Sequence, residues 1–465
     1  MLQIQLDRTA AVPLSEQIRR AITRAIEHGT LVPGARLPSW LDLAAQLGVA
    51  RGTVRLAYDR LSDAQLIVAS RAAGTRVAER PSGLVVSEAT YDPGPFMRTY
   101  EGLTVGPAIF QMGVSAHQML PARLFTNVRA FALRAESSTS VVYPDPRGEP
   151  DLRREIAAYL SIARGIACSP SQVMVTSGFS AGLGLALRVL GLEGRKAWVE
   201  NPGFPFARHG LTLGQLKLCP IPVDVEGIDV GYGIANEPDA SLVLVTPGQQ
   251  APLGPTLSLT RRLQLLDWAE QRNAWVIEDD YLSELQLGAR AAPALASLDR
   301  AQRVIHIGSF SKTISPALRL GFVVSPPSLV SKFAEVSACL APAPWPSVQL
   351  AAAKFMADGH YLRHLRRLKR LYSAQRAALL TCLGTQGLET VSAGLAVLVR
   401  LPDRASDIDI AKELLTFGLG PAALSPWYAT PETARAGLLL GVATSPETNL
   451  ARSSERLAEV IRRMI

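Results

Sequence analysis

The fold is decided by one stretch of the chain, Ser309-Phe310-Ser311-Lys312-Thr313-Ile314-Ser315-Pro316-Ala317-Leu318-Arg319-Leu320-Gly321, which follows a strand-like run over 303–307. The chain has 41 arginines but only seven lysines, so a lysine placed among serines indicates a use for its amine rather than for its charge. A lysine amine, unlike a guanidinium, can condense with an aldehyde. Pyridoxal phosphate is such an aldehyde, and its phosphate would lie against the serine hydroxyls and Arg319. Taken alone, the stretch is equally compatible with a solvated loop that carries one cation.

A second segment lies upstream and reads Val276-Ile277-Glu278-Asp279-Asp280-Tyr281. An apolar run that ends in carboxylates and a phenol predicts a buried parallel strand, and open α/β sheets place ligands at the carboxyl ends of such strands. A carboxylate beside the nitrogen of a pyridine ring keeps that nitrogen protonated, and a nearby phenol can bond the ring hydroxyl. The alternative for Asp279 and Asp280 is a helix-capping or turn role.

A third segment reads Val173-Met174-Val175-Thr176-Ser177-Gly178-Phe179-Ser180-Ala181-Gly182. It predicts a short strand, a Ser-Gly turn and a helix of small residues. Backbone amides at a helix N-terminus, together with adjacent hydroxyls, make an anion site suited to a phosphate. A Ser-Gly pair is also common as a plain helix cap, so this segment is informative only in combination with the other two.

In this order the three segments resemble the fold type I aminotransferases that bind pyridoxal phosphate, from about Phe110 to the C-terminus. The resemblance implies that Lys312 is the Schiff-base lysine, Asp279 the partner of the pyridine nitrogen and Tyr281 the partner of the ring hydroxyl. It also implies a phosphate site made by Ser177, Gly178, Phe179, Ser309, Ser311 and Arg319.

The same resemblance implies an assembly. Tyr143, in Tyr-Pro-Asp-Pro-Arg-Gly, matches a tyrosine that reaches the phosphate of the neighbouring subunit, which implies a head-to-tail homodimer. Phe204, in Asn-Pro-Gly-Phe-Pro, lies where relatives often have a tyrosine near the cofactor.

The length and composition of the chain predict its domain number, its location and the kinds of site that it lacks. A chain of 465 residues predicts two or more domains. No apolar run approaches the ~20 residues of a membrane span and the N-terminus lacks the pattern of a signal peptide, so we expect a cytoplasmic protein.

The four cysteines lie far apart, which argues against a disulfide framework or a zinc cluster. His360 and His364 have the spacing of a metal-binding helix, but no third ligand accompanies them, and we expect no metal site.

The N-terminal 80 residues are basic, with eleven arginines and no lysine against seven acidic residues. Such an excess favours a polyanionic partner. Ile18, Ile22 and Ile26, four residues apart, predict an amphipathic helix. Two further helices, over 41–47 and 51–61, flank the tight turn 48–50, which is a helix-turn-helix pattern. Two short apolar runs around 70–74 then predict a hairpin with a basic tip.

These patterns predict which residues face a nucleic acid. The second helix of a helix-turn-helix enters the major groove with its N-terminal residues on base edges, and a basic hairpin can lie along phosphates. The predicted DNA-binding residues are Ser39, Arg51, Thr53, Arg55, Arg71, Gly74, Thr75 and Arg76. The alternative is a three-helix interaction domain with an ordinary hairpin.

Residues 12–78 resemble a GntR-type winged helix through Leu37-Pro38-Ser39, Leu43-Ala44-x-x-Leu47-Gly48-Val49, Thr53-Val54-Arg55 and Gly74-Thr75-x-Val77. The whole chain therefore resembles the MocR/GabR branch of the GntR transcriptional regulators. Trp40 departs from the family, which usually carries a polar or basic residue after the serine.

The resulting division has three parts. Residues 1–80 form a winged-helix DNA-binding domain, and 81–109, rich in proline and glycine, form a linker. Residues 110–465 form an aminotransferase-like domain for cofactor binding, effector sensing and dimerisation, with a large doubly wound α/β part and a small C-terminal part.

One feature of aminotransferases is missing. They hold a substrate carboxylate with an arginine of the small part, because the guanidinium fork fits a carboxylate. The corresponding stretch, Gly437-Leu438-Leu439-Leu440-Gly441-Val442, contains no arginine, and Arg435 precedes it by two residues. Phe206 lies where a GABA-sensing relative has another arginine. We therefore expect weak or no turnover of ordinary amino acids.

The leading hypothesis is a pyridoxal phosphate-dependent transcriptional regulator. The cofactor, or an amine or amino-acid effector bound with it, would bias the aminotransferase-like dimer and so the spacing of its two winged helices. The first alternative is an active aminotransferase with an accessory DNA-binding domain. The second is a DNA-binding protein that uses an inactive enzyme fold for dimerisation alone.

Overall fold

A computed structural model of the chain describes residues 4–70, 74–79, 92–94, 96–97, 100–101, 108–116, 121–138, 142–287, 293–446 and 448–465. The chain forms two compact units, Met1–Thr104 and Val105–Ile465. This division falls inside the predicted linker, most of which lies outside the described residues, as does Arg71. None of the described helices combines the length and apolarity needed to cross a bilayer.

In its described residues up to 79, the first unit contains three helices and a hairpin: α1 (Leu14–Glu27), α2 (Trp40–Leu47), α3 (Arg51–Asp63), β1 (Ile67–Ser70) and β2 (Gly74–Val77). The isoleucine spacing correctly predicts the inner face of α1, because Ile18 and Ile22 are fully buried in a core shared with α3. Helix α2 ends at Gly48, whose φ of 60° is a left-handed conformation that glycine adopts without strain. The two strands pair antiparallel.

The second unit contains the larger number of elements. Its helices are α4 (Ala122–Ser138), α5 (Pro150–Arg164), α6 (Phe179–Leu190), α7 (Pro205–Leu213), α8 (Val230–Asn236), α9 (Leu259–Gln271), α10 (Val330–Leu340), α11 (Pro346–Ala357), α12 (His360–Thr385), α13 (Asp407–Thr416) and α14 (Leu450–Met464). Its strands are β3 (Val173–Thr176), β4 (Lys196–Asn201), β5 (Lys217–Asp224), β6 (Gly227–Ile228), β7 (Leu242–Val245), β8 (Trp275–Asp280), β9 (Val304–Ser309), β10 (Gly321–Val324), β11 (Thr390–Ala393), β12 (Ala396–Arg400), β13 (Ala422–Ala423) and β14 (Gly437–Gly441).

The large part is built on an eight-stranded sheet in the order β3-β10-β9-β8-β7-β4-β5-β6. Strands β5, β4, β7, β8 and β9 run parallel, whereas β10 is antiparallel to both β9 and β3. Strands β3, β7 and β10 are buried at every position, as expected where apolar cores cover both faces of a sheet. The predicted α/β fold class is confirmed.

The small part has a four-stranded antiparallel sheet in the order β11-β12-β14-β13. The 26-residue helix α12 leads into it and packs against α14. In the large sheet, β8 and β9 lie side by side with Asp280 opposite Gly308. The acidic end of β8 and the lysine segment that follows β9 therefore lie at the same edge of the sheet.

Candidate functional site

Lys312 lies in a closed turn directly after β9. The amide of Phe310 donates to the carbonyl of Leu320 at 3.0 Å, and the buried Phe310 ring anchors the turn in the core. The Lys312 amine donates to the carbonyl of Gly113. Part of the side chain stays accessible, but the amine is enclosed, and this burial lowers its pKa to about 8 while neighbouring Asp279 acts in the opposite direction.

We expect the Lys312 amine of the cofactor-free protein to react with acetic anhydride faster than an ordinary lysine at neutral pH. A pKa of about 8 leaves roughly a tenth of the amine neutral at pH 7, against less than about a thousandth for an unperturbed lysine. Mass spectrometry after brief labelling between about pH 6 and about pH 10 gives the rate, with exposed Lys332 as the internal control. A Lys312 rate that still rises steeply above about pH 9.5 would contradict the enclosed amine.

Asp279 supplies an unpartnered carboxylate oxygen beside this lysine. The residue is buried at the end of β8, and its Oδ1 atom has no hydrogen-bond partner in the described part of the chain. Burial, followed by the charges of Asp280 and Glu200, raises the pKa of Asp279 well above its usual value. Burial also raises the pKa of the Tyr281 phenol, and the neighbouring Gln249 side chain acts in the opposite direction. A buried carboxylate in this state has a strong requirement for an N–H donor.

The Ser177-Gly178 turn and Arg319 form the other end of the site. Arg319 Nη2 donates to the Ser177 carbonyl at 3.2 Å, and Gly178 directly precedes helix α6. Gly321 pairs on one side with Thr176 and on the other with Ser309, which brings the three strand ends together. A Cβ atom at Gly321 would lie 2.9 Å from Gly178 Cα, so this close approach requires glycine.

The structure thus brings most of the predicted phosphate residues to one place. Ser311 donates its amide to Ser309 Oγ at 3.2 Å, and Phe179 is the first residue of α6. Tyr143 is different, because its side chain is 100% exposed and touches none of these groups. Its loop is nevertheless well held, since Asp145 accepts hydrogen bonds from both Arg147 and Arg153.

The predicted DNA-binding residues of the first unit divide into exposed and internally bonded groups. Arg51 and Arg55 are exposed on the first turns of α3. Thr53 lies between them and is half-buried. The Ser39 hydroxyl, in contrast, caps α2 by accepting from the Asp42 amide at 3.1 Å.

The predicted DNA-binding residues of the hairpin that the structure describes make contacts within the first unit. Gly74 has a φ of 73°, and the Arg36 guanidinium lies 3.4 Å from where a Cβ would be. Thr75 accepts from the Leu37 amide through its carbonyl at 2.9 Å. Arg76 Nη1 donates to the Gly34 carbonyl at 2.8 Å, so this side chain supports the turn before α2.

Comparison with known proteins agrees with both units. The family model "Bacterial regulatory proteins, gntR family" matches residues 14–77, and "Aminotransferase class I and II" matches residues 111–419. The probable rhizopine catabolism regulatory protein MocR of Rhizobium meliloti is 33% identical over 394 residues, which cover 80% of this chain and 77% of MocR. The chain belongs to the MocR/GabR branch of the GntR transcriptional regulators.

Other relatives extend this picture of a MocR-type regulator. The HTH-type pyridoxine biosynthesis transcriptional regulator PdxR of Corynebacterium glutamicum is 31% identical over 94% of this chain and 92% of its own. Among solved structures, an archaeal alanine:glyoxylate aminotransferase matches with a TM-score of 0.73 at 23% identity, over 79% of this chain and 95% of its own. At that identity the match shows the fold, and it confirms the aminotransferase-like architecture of the second unit.

The sequence did not predict the buried charges behind the site of this MocR-type regulator. Glu278 bonds His306 Nδ1 at 3.0 Å, and Asp280 pairs with Arg164 Nε at 2.9 Å. Successive side chains of a strand point to opposite faces, so Glu278 and Asp280 share one face and Asp279 takes the other. That alternation is visible in the sequence and gives a physical reason why Asp279, rather than Glu278 or Asp280, was the residue predicted for the site.

Glu200, at the end of β4, is a second site residue that the sequence did not predict. Its carboxylate accepts from the Thr246 amide at 3.1 Å and from Thr246 Oγ1 at 2.6 Å. Gln250 Nε2 donates to the same carboxylate at 3.3 Å. Burial raises the pKa of Glu200 to about 7. Glu200 therefore holds the loop after β7 against the end of β4.

Proposed function

We propose that this MocR-type regulator binds pyridoxal 5'-phosphate at Lys312 and that the bound cofactor changes how its winged helices bind double-stranded DNA. The single observation that carries the proposal is the unpartnered Oδ1 of buried Asp279 beside the enclosed amine of Lys312. A buried carboxylate without a donor is costly unless a ligand supplies one.

The residues present fit this cofactor at both ends. Asp279 would accept from the ring nitrogen, and Tyr281 would hold the ring hydroxyl. The phosphate would meet the hydroxyls of Ser309 and Ser311, the amides at the start of α6 and the guanidinium of Arg319. The close approach of Gly321 to Gly178 keeps the segments that carry these phosphate contacts next to each other. When bound, pyridoxal phosphate supplies a carbonyl carbon for amines and an electron-accepting ring.

The second copy of the chain would complete the site. Tyr143 is fully exposed on a loop fixed by Asp145, an unusual position for a tyrosine that has no partner to cover it. In a head-to-tail homodimer this phenol would reach the phosphate bound to the neighbouring subunit. Phe204 lies beside Phe179 at a ring-centroid distance of 6.4 Å, so it would border the cofactor of its own subunit.

The winged helix would supply the DNA contacts. Arg51 and Arg55, with Thr53 between them, lie at the start of α3, the part of a recognition helix that meets base edges. Gly74 and Thr75 place the hairpin backbone beside the phosphates in the same arrangement. Ser39 and Arg76 contribute by fixing the turn that precedes α2.

The experiment measures DNA affinity with and without the cofactor. Full-length protein first selects a duplex from a random-sequence pool, and the binding isotherm is then recorded for the cofactor-free and the cofactor-loaded protein. We expect the affinities to differ about fivefold or more, the usual range of coupling between two sites. Pyridoxal without its phosphate is the matched control and should act only at much higher concentration, because it lacks the group held by Arg319.

Three results would contradict the proposal. Identical isotherms in the two states would leave the cofactor without a regulatory role. The absence of any visible absorbance after incubation with pyridoxal phosphate would remove the cofactor altogether. Turnover of amino acids near ordinary enzyme rates of ~10 per second would instead favour an active aminotransferase with an accessory DNA-binding domain.

A further inference from the structure

An aromatic cluster borders the site on the side of helix α7. Phe204 is its centre, with ring centroids 6.4 Å from Phe179, 5.3 Å from Phe206 and 5.9 Å from Trp427. All four residues are only partly buried. Phe179 follows the Ser177-Gly178 turn directly, which places one edge of the cluster at the phosphate end of the site.

A small apolar core links the other edge of the cluster to the segment that bonds Lys312. Trp427 and the partly buried Met112 both pack against this core, which includes fully buried Leu439 of β14. Met112 immediately precedes Gly113, whose carbonyl accepts a hydrogen bond from the Lys312 amine. The aromatic cluster and this core, together called the apolar wall, thus connect Phe179 at the phosphate end of the site with Met112.

The partly buried cation beside the aromatic cluster is already engaged. Arg208, two residues beyond Phe206 on α7, donates through Nη1 to the Trp427 carbonyl at 2.7 Å and through Nη2 to the Pro426 carbonyl at 3.0 Å. Arg435 is exposed, and the ring contacts of the cluster do not involve it. The guanidinium fork of Arg208 is therefore committed to two backbone carbonyls and is not available to bind a carboxylate beside the cluster.

We propose that the small molecule recognised beside Lys312 is a primary amine with an apolar, preferably aromatic, body and no carboxylate. Its amine would lie among the polar groups at Lys312, and its body would cover the faces of Phe204, Phe206 and Trp427. An amino acid would have to desolvate its carboxylate against this wall without a paired cation, which disfavours binding. This inference rests on the proposed function, because the cofactor-loaded site is the one that the amine enters.

The test compares ligands that differ in one group. Isothermal titration calorimetry on full-length, cofactor-loaded protein measures 2-phenylethylamine against L-phenylalanine, which adds only the carboxylate, and against butylamine, which lacks the ring. We expect 2-phenylethylamine to bind on the order of 30-fold more tightly than phenylalanine and about tenfold more tightly than butylamine. The same ligands are then added to the DNA-binding assay, where the amine should act at the lowest concentration.

Variants place a cation on the wall. Phe206→Arg adds a guanidinium at a partly exposed position and should bring phenylalanine to within about threefold of phenylethylamine. Leu213→Arg, at the exposed far end of the same helix, is the matched control and should leave the preference unchanged. Leu439→Arg is a less suitable variant, because its side chain is fully buried and the change threatens the fold.

The outcomes separate this inference from the proposed function. Equal binding of amine and amino acid, tighter binding of the amino acid, or no binding of any of the three ligands to protein that shows the cofactor absorbance would overturn the amine preference alone. An unchanged preference in Phe206→Arg would overturn the assignment of the wall. A protein that never acquires the cofactor absorbance would refute the proposed function first, and the amine preference with it.

Discussion

Replacing Lys312 with alanine is expected to abolish the visible absorbance that the wild-type protein acquires with pyridoxal phosphate, and to make the cofactor removable by dialysis. A methyl group has no amine to condense with the aldehyde. In the proposed site the remaining contacts, from Asp279, Arg319 and the serines, would be non-covalent, so they would retain the cofactor only reversibly. The response of DNA affinity to the cofactor should shrink accordingly.

The matched control is Lys354→Ala. Lys354 lies on the surface of α11 and pairs with Asp358 at 3.0 Å, so its removal takes away one lysine without touching the site. Absorbance spectra and thermal unfolding are recorded for both variants, because a loss of fold would also remove the band. A Lys312→Ala protein that unfolds normally and still shows the wild-type absorbance would refute the role assigned to this amine.

The second large effect is expected in the recognition helix. The double variant Arg51→Ala/Arg55→Ala should weaken binding to the selected duplex by about 100-fold or more, since each specific base contact contributes roughly 1–3 kcal/mol. Arg55 lies 3.9 Å from Asp59, but both side chains are largely exposed, so this ion pair adds little to stability. The domain should therefore fold normally while losing its DNA contacts.

Arg60→Ala is the control for this variant. Arg60 belongs to the same helix, but its Nη1 atom bonds Glu16 of α1 at 3.3 Å, away from the exposed start of α3. Fluorescence anisotropy at several salt concentrations measures the affinity of all three proteins and the slope of its logarithm against that of the salt. If the double variant binds as tightly as Arg60→Ala does, α3 is not the element that reads the DNA.

The sequence predicted the features that depend on local pattern. The four-residue spacing of Ile18 and Ile22 gave the inner face of α1, and the apolar run before Asp279 gave strand β8. The three segments around Ser177, Asp279 and Lys312 meet at one edge of the sheet because parallel strands end on the same side. The helix and strand predictions needed only periodicity and turn residues, whereas the assembly of the three segments into one site was implied by the resemblance to aminotransferases.

The features that it missed depend on pairs of residues distant in the chain. Arg164 donates to Asp280, which lies 116 positions away in the chain, and Thr246 donates to Glu200, which lies 46 positions away. The local sequence does not predict either contact. Ser39 stays a predicted DNA-binding residue. Its hydroxyl accepts a hydrogen bond from the Asp42 amide and so caps α2.

The alternation of acids along β8 has a consequence for how this strand can evolve. Inserting or deleting a single residue of β8 before Asp279 would move every following side chain of the strand to the opposite face, so that the Asp279 carboxylate would lie on the side of His306 and Arg164. A point substitution changes one side chain of β8, whereas a one-residue insertion or deletion moves all the following side chains to the other face of the sheet at once. We therefore expect insertions and deletions in β8 to be rarer than substitutions among descendants of this chain.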